Sequence, residues 1–139
     1  MRPVGYAALL FCLGVAQSGA QVPAATVKTA LYEVANGSGV DARTFAGWRT
    51  WRALACDRCH GEAQQGLVGP SLLEALKALT PEEFHRTVSE GRPEKGMPAF
   101  GANARMQENW EGLYAYLKGR SAGHIAAGPL TALGAGSTP

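Results

Sequence analysis

Cys56, Cys59 and His60 stand in the order C-x-x-C-H, and no other stretch limits the possible folds of this chain as much. Cysteines at this spacing can each form a thioether to one vinyl group of the same haem. The histidine directly after the second cysteine can then reach the iron from one face. The bare C-x-x-C pair is ambiguous, because disulfide redox sites and zinc sites use it too. The added histidine narrows the reading to one covalent haem c with its iron, provided that the chain is exported.

The N-terminus meets that condition. Met1-Arg2-Pro3 is a weakly positive start, residues 4–15 are apolar apart from Gly5 and Gly14, and Ser18-Gly19-Ala20 offers the small residues a signal peptidase reads. The apolar run is shorter than the ~20 residues a bilayer span needs. Residues 1–20 therefore read as a secretory signal peptide cleaved after Ala20, which predicts a periplasmic protein. Cys12 leaves with the leader, and Phe11 before it is too large for a lipoprotein site. Of three cysteines only Cys56 and Cys59 remain, which is no disulfide framework but suffices for haem. Loss of Arg2 leaves twelve basic against eleven acidic side chains. With no basic run, neither nucleic acid nor an anionic membrane surface is expected as a partner. No second long apolar segment follows, so the mature form is expected to be soluble, without a membrane span.

Residues 21–40 read as an N-terminal arm lying on the domain, extended over 27–34 with a turn at Asn36-Gly37-Ser38-Gly39. Plain disorder competes for its first few residues. Residues 41–55 read as a helix capped by Asp41, with Phe45, Trp48, Trp51 and Leu54 at three-residue steps. Gly47 costs such a helix about 1 kcal/mol relative to alanine. It is either a mild defect or the place where another helix crosses closely, and the aromatics beside it favour the crossing. Residues 61–69 read as loop. Pro70 and Ser71 open a second helix, with Ser71 and Glu74 as a capping box. Thr80, Pro81 and Glu83 open a third as N-cap, N1 and N3, and Gly91 stops it. Residues 92–105 read as loop, and residues 109–120 as the last helix, with Asn109 as N-cap and a stripe of Trp110, Leu113, Tyr114 and Leu117. The tail, 121–139, falls to small residues and is expected to be flexible. No core strand is evident, so the domain, 41–120, is expected to be all-α.

His60 is the candidate proximal ligand. For the opposite face the mature chain offers His85, His124, Met97 and Met106. His85 is most simply a solvated helix residue, His124 would need the tail to fold back, and Met106 is assigned to packing where the last helix begins. Met97 lies between Gly96, which permits close backbone approach, and Pro98, which fixes φ. Met97 is therefore the expected sixth ligand rather than a loop-core methionine. Histidine and methionine together give a six-coordinate iron with a raised potential. No position stays open for oxygen or peroxide, which predicts an electron carrier rather than an enzyme. A haem enzyme or gas sensor would require Met97 to leave the iron. The second ring N–H of His60 is expected to donate to a backbone carbonyl of the Val68-Gly69-Pro70 turn, Pro70 by preference. Pro70 also starts the second helix, and the two roles are compatible. Arg58, Arg92 and Lys95 either rim an exposed haem edge near Cys56 and Cys59 or are ordinary solvated charges.

These residues resemble a class I cytochrome c. The matching pieces are Gly47 and Trp51, Cys56 to His60, Gly69-Pro70, Met97, and LYAYLK at 113–118. The resemblance implies a small fold packed around one haem, with the N- and C-terminal helices crossing. One departure is visible: the family usually places its helix aromatic four residues before the first cysteine, and Trp51 lies five before Cys56. The stretches GVDARTFAGW at 39–48, PSLLEALK at 70–77, MPAFG at 97–101 and YAYLK at 114–118 are further similar to periplasmic cytochromes paired with lanthanide-dependent, PQQ-containing methanol dehydrogenases. That implies electron acceptance from a quinoprotein alcohol dehydrogenase and delivery to a terminal oxidase or another cytochrome. A general respiratory carrier, indifferent to alcohol oxidation, is the alternative.

Overall fold

The computed structural model describes residues 25–134. The expected signal peptide and the last five residues of the tail lie outside them. Five helices carry the fold: α1 (Ala42–Ala53), α2 (Asp57–His60), α3 (Leu72–Ala78), α4 (Pro81–Glu90) and α5 (Ala104–Ser121). Four short strands accompany them: β1 (Thr26–Lys28), β2 (Glu33–Ala35), β3 (Gly39–Val40) and β4 (Thr131–Ala132). The all-α expectation is corrected by this small sheet, whose strands all lie outside residues 41–120.

Helix α5 is the axis of the molecule. Its residues from Gly112 to Leu117 are all buried, because α1, α3 and α4 each pack against it. Its polar groups tie down α3: the Tyr114 hydroxyl donates to Leu79 O at 2.9 Å, Lys118 Nζ to Leu76 O at 2.6 Å, and Ser121 Oγ to Leu73 O at 2.6 Å. The helix begins five residues earlier than Asn109. The Asn103 side chain accepts the Met106 N–H at 3.2 Å and so supplies the cap, and Met106 is buried in the first turn.

Helices α1 and α5 cross backbone against backbone. A Cβ placed on Gly47 would lie 2.0 Å from the carbonyl of Gly112, and one placed on Gly112 would lie 2.2 Å from Arg43 O. Gly47 is therefore the close-crossing device rather than a defect. It also decides which face of α1 turns inward. The buried residues are Thr44, Gly47, Thr50 and Trp51, while Phe45 and Trp48 are half-buried and lean on each other, ring centroids 5.4 Å apart.

The extra residue between Trp51 and Cys56 is taken up at the end of α1. Ala55 adopts φ 52. Its N–H reaches Arg52 O at 3.2 Å and the Cys56 N–H reaches Trp51 O at 3.3 Å, a Schellman stop with alanine where glycine is usual. Trp51 keeps its place in the core, 6.4 Å from the ring centroid of Tyr116.

At the other helix starts the caps are mostly as the sequence suggests. Thr80 and Glu83 form the full reciprocal box of α4. On α3 only half of the box forms: Ser71 Oγ accepts the Glu74 N–H at 3.4 Å, but the Glu74 carboxylate turns to Lys77 at 2.7 Å.

The sheet joins both ends of the described chain. β1–β2–β3 is an antiparallel meander, with Val27 opposite Val34 and Val34 opposite Val40. Asn36 and Gly37, with φ 53 and 71, form the turn between β2 and β3. β4 then pairs with β3 in parallel, Val40 opposite Ala132. Residues 121–134 are thus folded onto the domain and are not a flexible tail. Ile125 and Leu130 are buried, and His124 Nδ1 meets the Tyr32 hydroxyl at 2.8 Å. Two apolar anchors and a ladder bond from Ala126 N to Gly37 O at 2.7 Å hold a segment whose average composition suggested none.

Candidate haem site

The stop of α1 leads directly into α2, a single turn that carries the motif. The His60 N–H closes on Cys56 O at 3.0 Å. One turn places residues i, i+3 and i+4 on a common side, which is where Cys56, Cys59 and His60 stand. No disulfide joins the two cysteines; Cys56 is half-buried and Cys59 exposed. Burial pushes the Cys56 thiol up to about 11. A redox dithiol needs the opposite shift.

The His60 ring is held from two sides. Its Nδ1 lies 2.9 Å from Pro70 O, the carbonyl expected from the sequence, and as the N–H bearer it donates there. Gly69 packs under the ring, where an added Cβ would sit 2.9 Å from Cε1, so the turn needs glycine for space. Trp51 lies beside the ring, centroids 6.4 Å apart. The other ring nitrogen, Nε2, has no hydrogen-bond partner among the described residues. It is the atom free to meet a metal.

Met97 arrives on the segment between α4 and α5. A narrow pinch presents it: Arg92 N–H donates to Met97 O at 2.8 Å and Met97 N–H to Arg92 O at 3.1 Å. The intervening turn, Pro93–Lys95, ends at Gly96 with φ 82. Gly91 lets the returning strand pass, since a Cβ there would meet Pro98 O at 2.6 Å. Phe100 N–H and Gly101 N–H then bond Val88 O and Ser89 O at 2.9 and 3.0 Å. Met97 is half-buried on the core on which Cys56 also rests. No hydrogen bond joins it to the His60 turn among the described residues.

The remaining sequence candidates are engaged elsewhere. Met106 is core, His124 is bonded to Tyr32, and His85 lies on Trp110, ring centroids 4.4 Å apart. Among the described residues no group of three or more His, Cys, Asp and Glu side chains gathers as a bare metal ion would require. The candidate donors from the sequence are instead the His60 imidazole, the Met97 thioether and the sulfurs of Cys56 and Cys59. Leu54, Leu72, Leu79, Met97 and Phe100 rest on the core while staying only partly buried. Such a surface fits a flat apolar group held by covalent bonds.

Comparisons with known proteins agree. Residues 42–117 match the family described as cytochrome c oxidase, cbb3-type, subunit III. The chain is also 38% identical to cytochrome c-555 of Methylococcus capsulatus (strain Bath), over 77% of this chain and 86% of that protein. The chain belongs to the class I c-type cytochromes. Its cofactor is accordingly a covalently bound haem c with iron, and it is an electron carrier rather than an enzyme. This cytochrome is further 31% identical to cytochrome c-553I of Paracoccus denitrificans, over 70% of its own length and 46% of that protein. In structure it is similar to the c-type cytochrome XoxG from Methylobacterium extorquens AM1, with a TM-score of 0.63 and 30% identity over 78% of this chain and 76% of that one.

Sequence reasoning did not find Gln64. It is fully buried, with φ 61, yet a lone glutamine in a polar, glycine-containing loop carries no pattern that marks it. Leu67 and Val68 were also passed over. They are 73% and 86% exposed at the turn that leads to Gly69.

Proposed function

We propose that this cytochrome is a periplasmic one-electron carrier that accepts electrons from a PQQ-dependent methanol or alcohol dehydrogenase and passes them to a terminal oxidase or another cytochrome. In this reading Cys56 and Cys59 hold the haem through thioethers, and His60 and Met97 take the two axial positions. When bound, the haem supplies a one-electron couple. The single observation that carries the ligand assignment is the His60 ring, with Nδ1 committed to Pro70 O at 2.9 Å and Nε2 left for the iron. A hydrogen bond to Nδ1–H fixes the tautomer and raises the basicity of Nε2. A thioether opposite raises the potential. The pinch at Arg92 and Met97 and the turn at Gly96 support Met97 as a held ligand, because they restrict where its sulfur can go.

Docking is assigned to the surface around Cys59. Cys59 is exposed, as are Leu67 and Val68. Arg58, Arg92 and Lys95 are exposed as well and make no ion pair among the described residues. Exposed apolar residues on the turn bonded to Cys59, together with exposed cations that form no ion pair, suit brief docking that is steered by charge and released quickly. The choice of donor rests on the sequence resemblance of 39–48, 70–77, 97–101 and 114–118 to cytochromes paired with such dehydrogenases. No described helix is long and apolar enough to cross a membrane.

Two measurements test this. Purified quinoprotein dehydrogenase turning over alcohol is expected to reduce the ferric holoprotein directly. No reduction at micromolar concentrations would remove that donor and leave a general respiratory carrier. Met97→Ala is expected to abolish the weak red-region band of the ferric iron–thioether bond, lower the potential and allow carbon monoxide to bind the ferrous form. An unchanged spectrum and potential would show that Met97 is not the ligand. Ready carbon monoxide binding by the unmodified protein would instead favour a haem enzyme or gas sensor.

A further inference from the structure

The loop that carries Pro70 is closed at its base by Gln64. Gln64 O accepts the Leu72 N–H at 2.9 Å, and the Gly66 N–H returns to His60 O at 2.8 Å. Pro70 lies within this closure, so the carbonyl that holds His60 is placed by wherever Gln64 sits. Gln64 is itself fixed by its side chain. Oε1 accepts from Arg120 Nε at 2.6 Å, and Nε2 donates to the Tyr116 hydroxyl at 3.1 Å and to Glu62 O at 3.0 Å. The same guanidinium donates to Ala63 O at 3.1 Å and to Ile125 O at 2.6 Å. One side chain on α5 thus gathers the loop after the motif and the returning tail.

The backbone at Gln64 argues that this anchoring has a purpose. At φ 61 a side-chain-bearing residue is strained where glycine would not be. Such strain persists where the surroundings over-determine the residue. Here a fully buried amide makes three hydrogen bonds, and no glycine could make them.

We propose that Gln64 and Arg120 are positioning residues for the proximal imidazole: they hold the Pro70 carbonyl against His60 Nδ1 and so fix the ring that faces the iron. This rests on the reading of His60 as an axial ligand. Loosening the clamp frees Pro70 O to move away, and the His60 Nδ1–H then meets solvent more often.

The test is exchange of the His60 Nδ1 proton in ferrous holoprotein, followed by NMR alongside the reduction potential. Gln64→Gly relieves the backbone and removes the amide, and Arg120→Lys keeps the charge but loses the fork. Both are expected to speed exchange by about tenfold or more and to shift the potential. Ser121→Ala serves as control. It deletes a bond of 2.6 Å from the neighbouring residue to Leu73 O, at the edge of the closure where Leu73 N–H also reaches Gln64 O at 3.4 Å, but it keeps every bond of the Gln64 amide and the Arg120 guanidinium, and it is expected to leave exchange within about threefold of the parent. Exchange and potential unchanged in Gln64→Gly and Arg120→Lys, or moved no further than in Ser121→Ala, would overturn the clamp. A His60 ring without the large ring-current shifts of a haem-bound imidazole would overturn the ligand reading, and this proposal with it.

Discussion

Ala55 sits where two requirements collide. The extra residue between Trp51 and Cys56 must be absorbed without moving either neighbour, and the chain does so by turning left-handed at one position. Alanine pays about 1 kcal/mol there that glycine avoids. Ala55→Gly is therefore expected to stabilise the holoprotein by about 0.5–1 kcal/mol, read as a higher denaturant midpoint, with the haem spectrum unchanged. A lower midpoint would mean that the alanine methyl packs usefully. At this scale the motif and its Pro70 partner were legible, because each is fixed by local chemistry: a covalent spacing, and a ring N–H that needs a nearby carbonyl. Gln64 was not legible, because its meaning comes from Arg120 and Tyr116, 56 and 52 residues away.

Helix identities were legible for a similar reason. Caps such as Asp41, Ser71 and Thr80 act within three residues, and each is found capping. Which face of α1 turns inward was not legible. Aromatic spacing suggested Phe45 and Trp48, but the glycine crossing brings two backbones together and turns threonines inward instead. Gly47→Ala or Gly112→Ala must push those backbones apart, and a loss of about 3 kcal/mol or more is expected, with poor recovery of holoprotein. A thermal melt within a few degrees of the parent would show that the crossing yields easily. Asp41 joins α1 to the sheet as well as capping it. Its carboxylate accepts from Thr44 N–H at 3.0 Å, Thr44 Oγ1 at 2.7 Å and Glu33 N–H at 2.9 Å. Burial alone would raise this carboxyl, but these bonds and nearby Arg43 outweigh it and hold it below its usual 3.8. A depressed carboxyl stabilises the fold above its unfolded value, and that contribution is lost as the pH falls below about 4. Asp41→Asn is expected to flatten the acid limb of the stability profile while lowering stability at neutral pH. An unaltered acid limb would assign the acid sensitivity to other groups.

For the molecule as a whole, the helical domain and the extended arm with its turn at Asn36-Gly37 were readable, and the closing of the arm into a sheet by β4 was not. Strands of two or three residues leave no period to detect, and β4 lies among glycine, alanine and threonine. Only its pairing with Gly39 and Val40 makes it a strand. The returning segment is nevertheless part of the core. Truncation after Ala122 removes Ile125 and Leu130, each worth about 1.5–3 kcal/mol when buried, and uncovers Tyr32. A loss of about 3 kcal/mol or more is expected in chemical denaturation, with the haem still attached. Unchanged stability would show that the segment merely lies on the surface.

The pairing of β3 with β4 also sets an order of assembly. Gly39 must wait for Thr131, so as the chain emerges the meander stands with one edge open until residues 131–132 have appeared. The cysteines, the histidine and the whole of α5 emerge before then. Everything needed to grasp a cofactor is present before the sheet can close. An open edge is a site for wrong pairing with another chain, which makes β4 a safeguard that comes into force only after the centre of the molecule has formed.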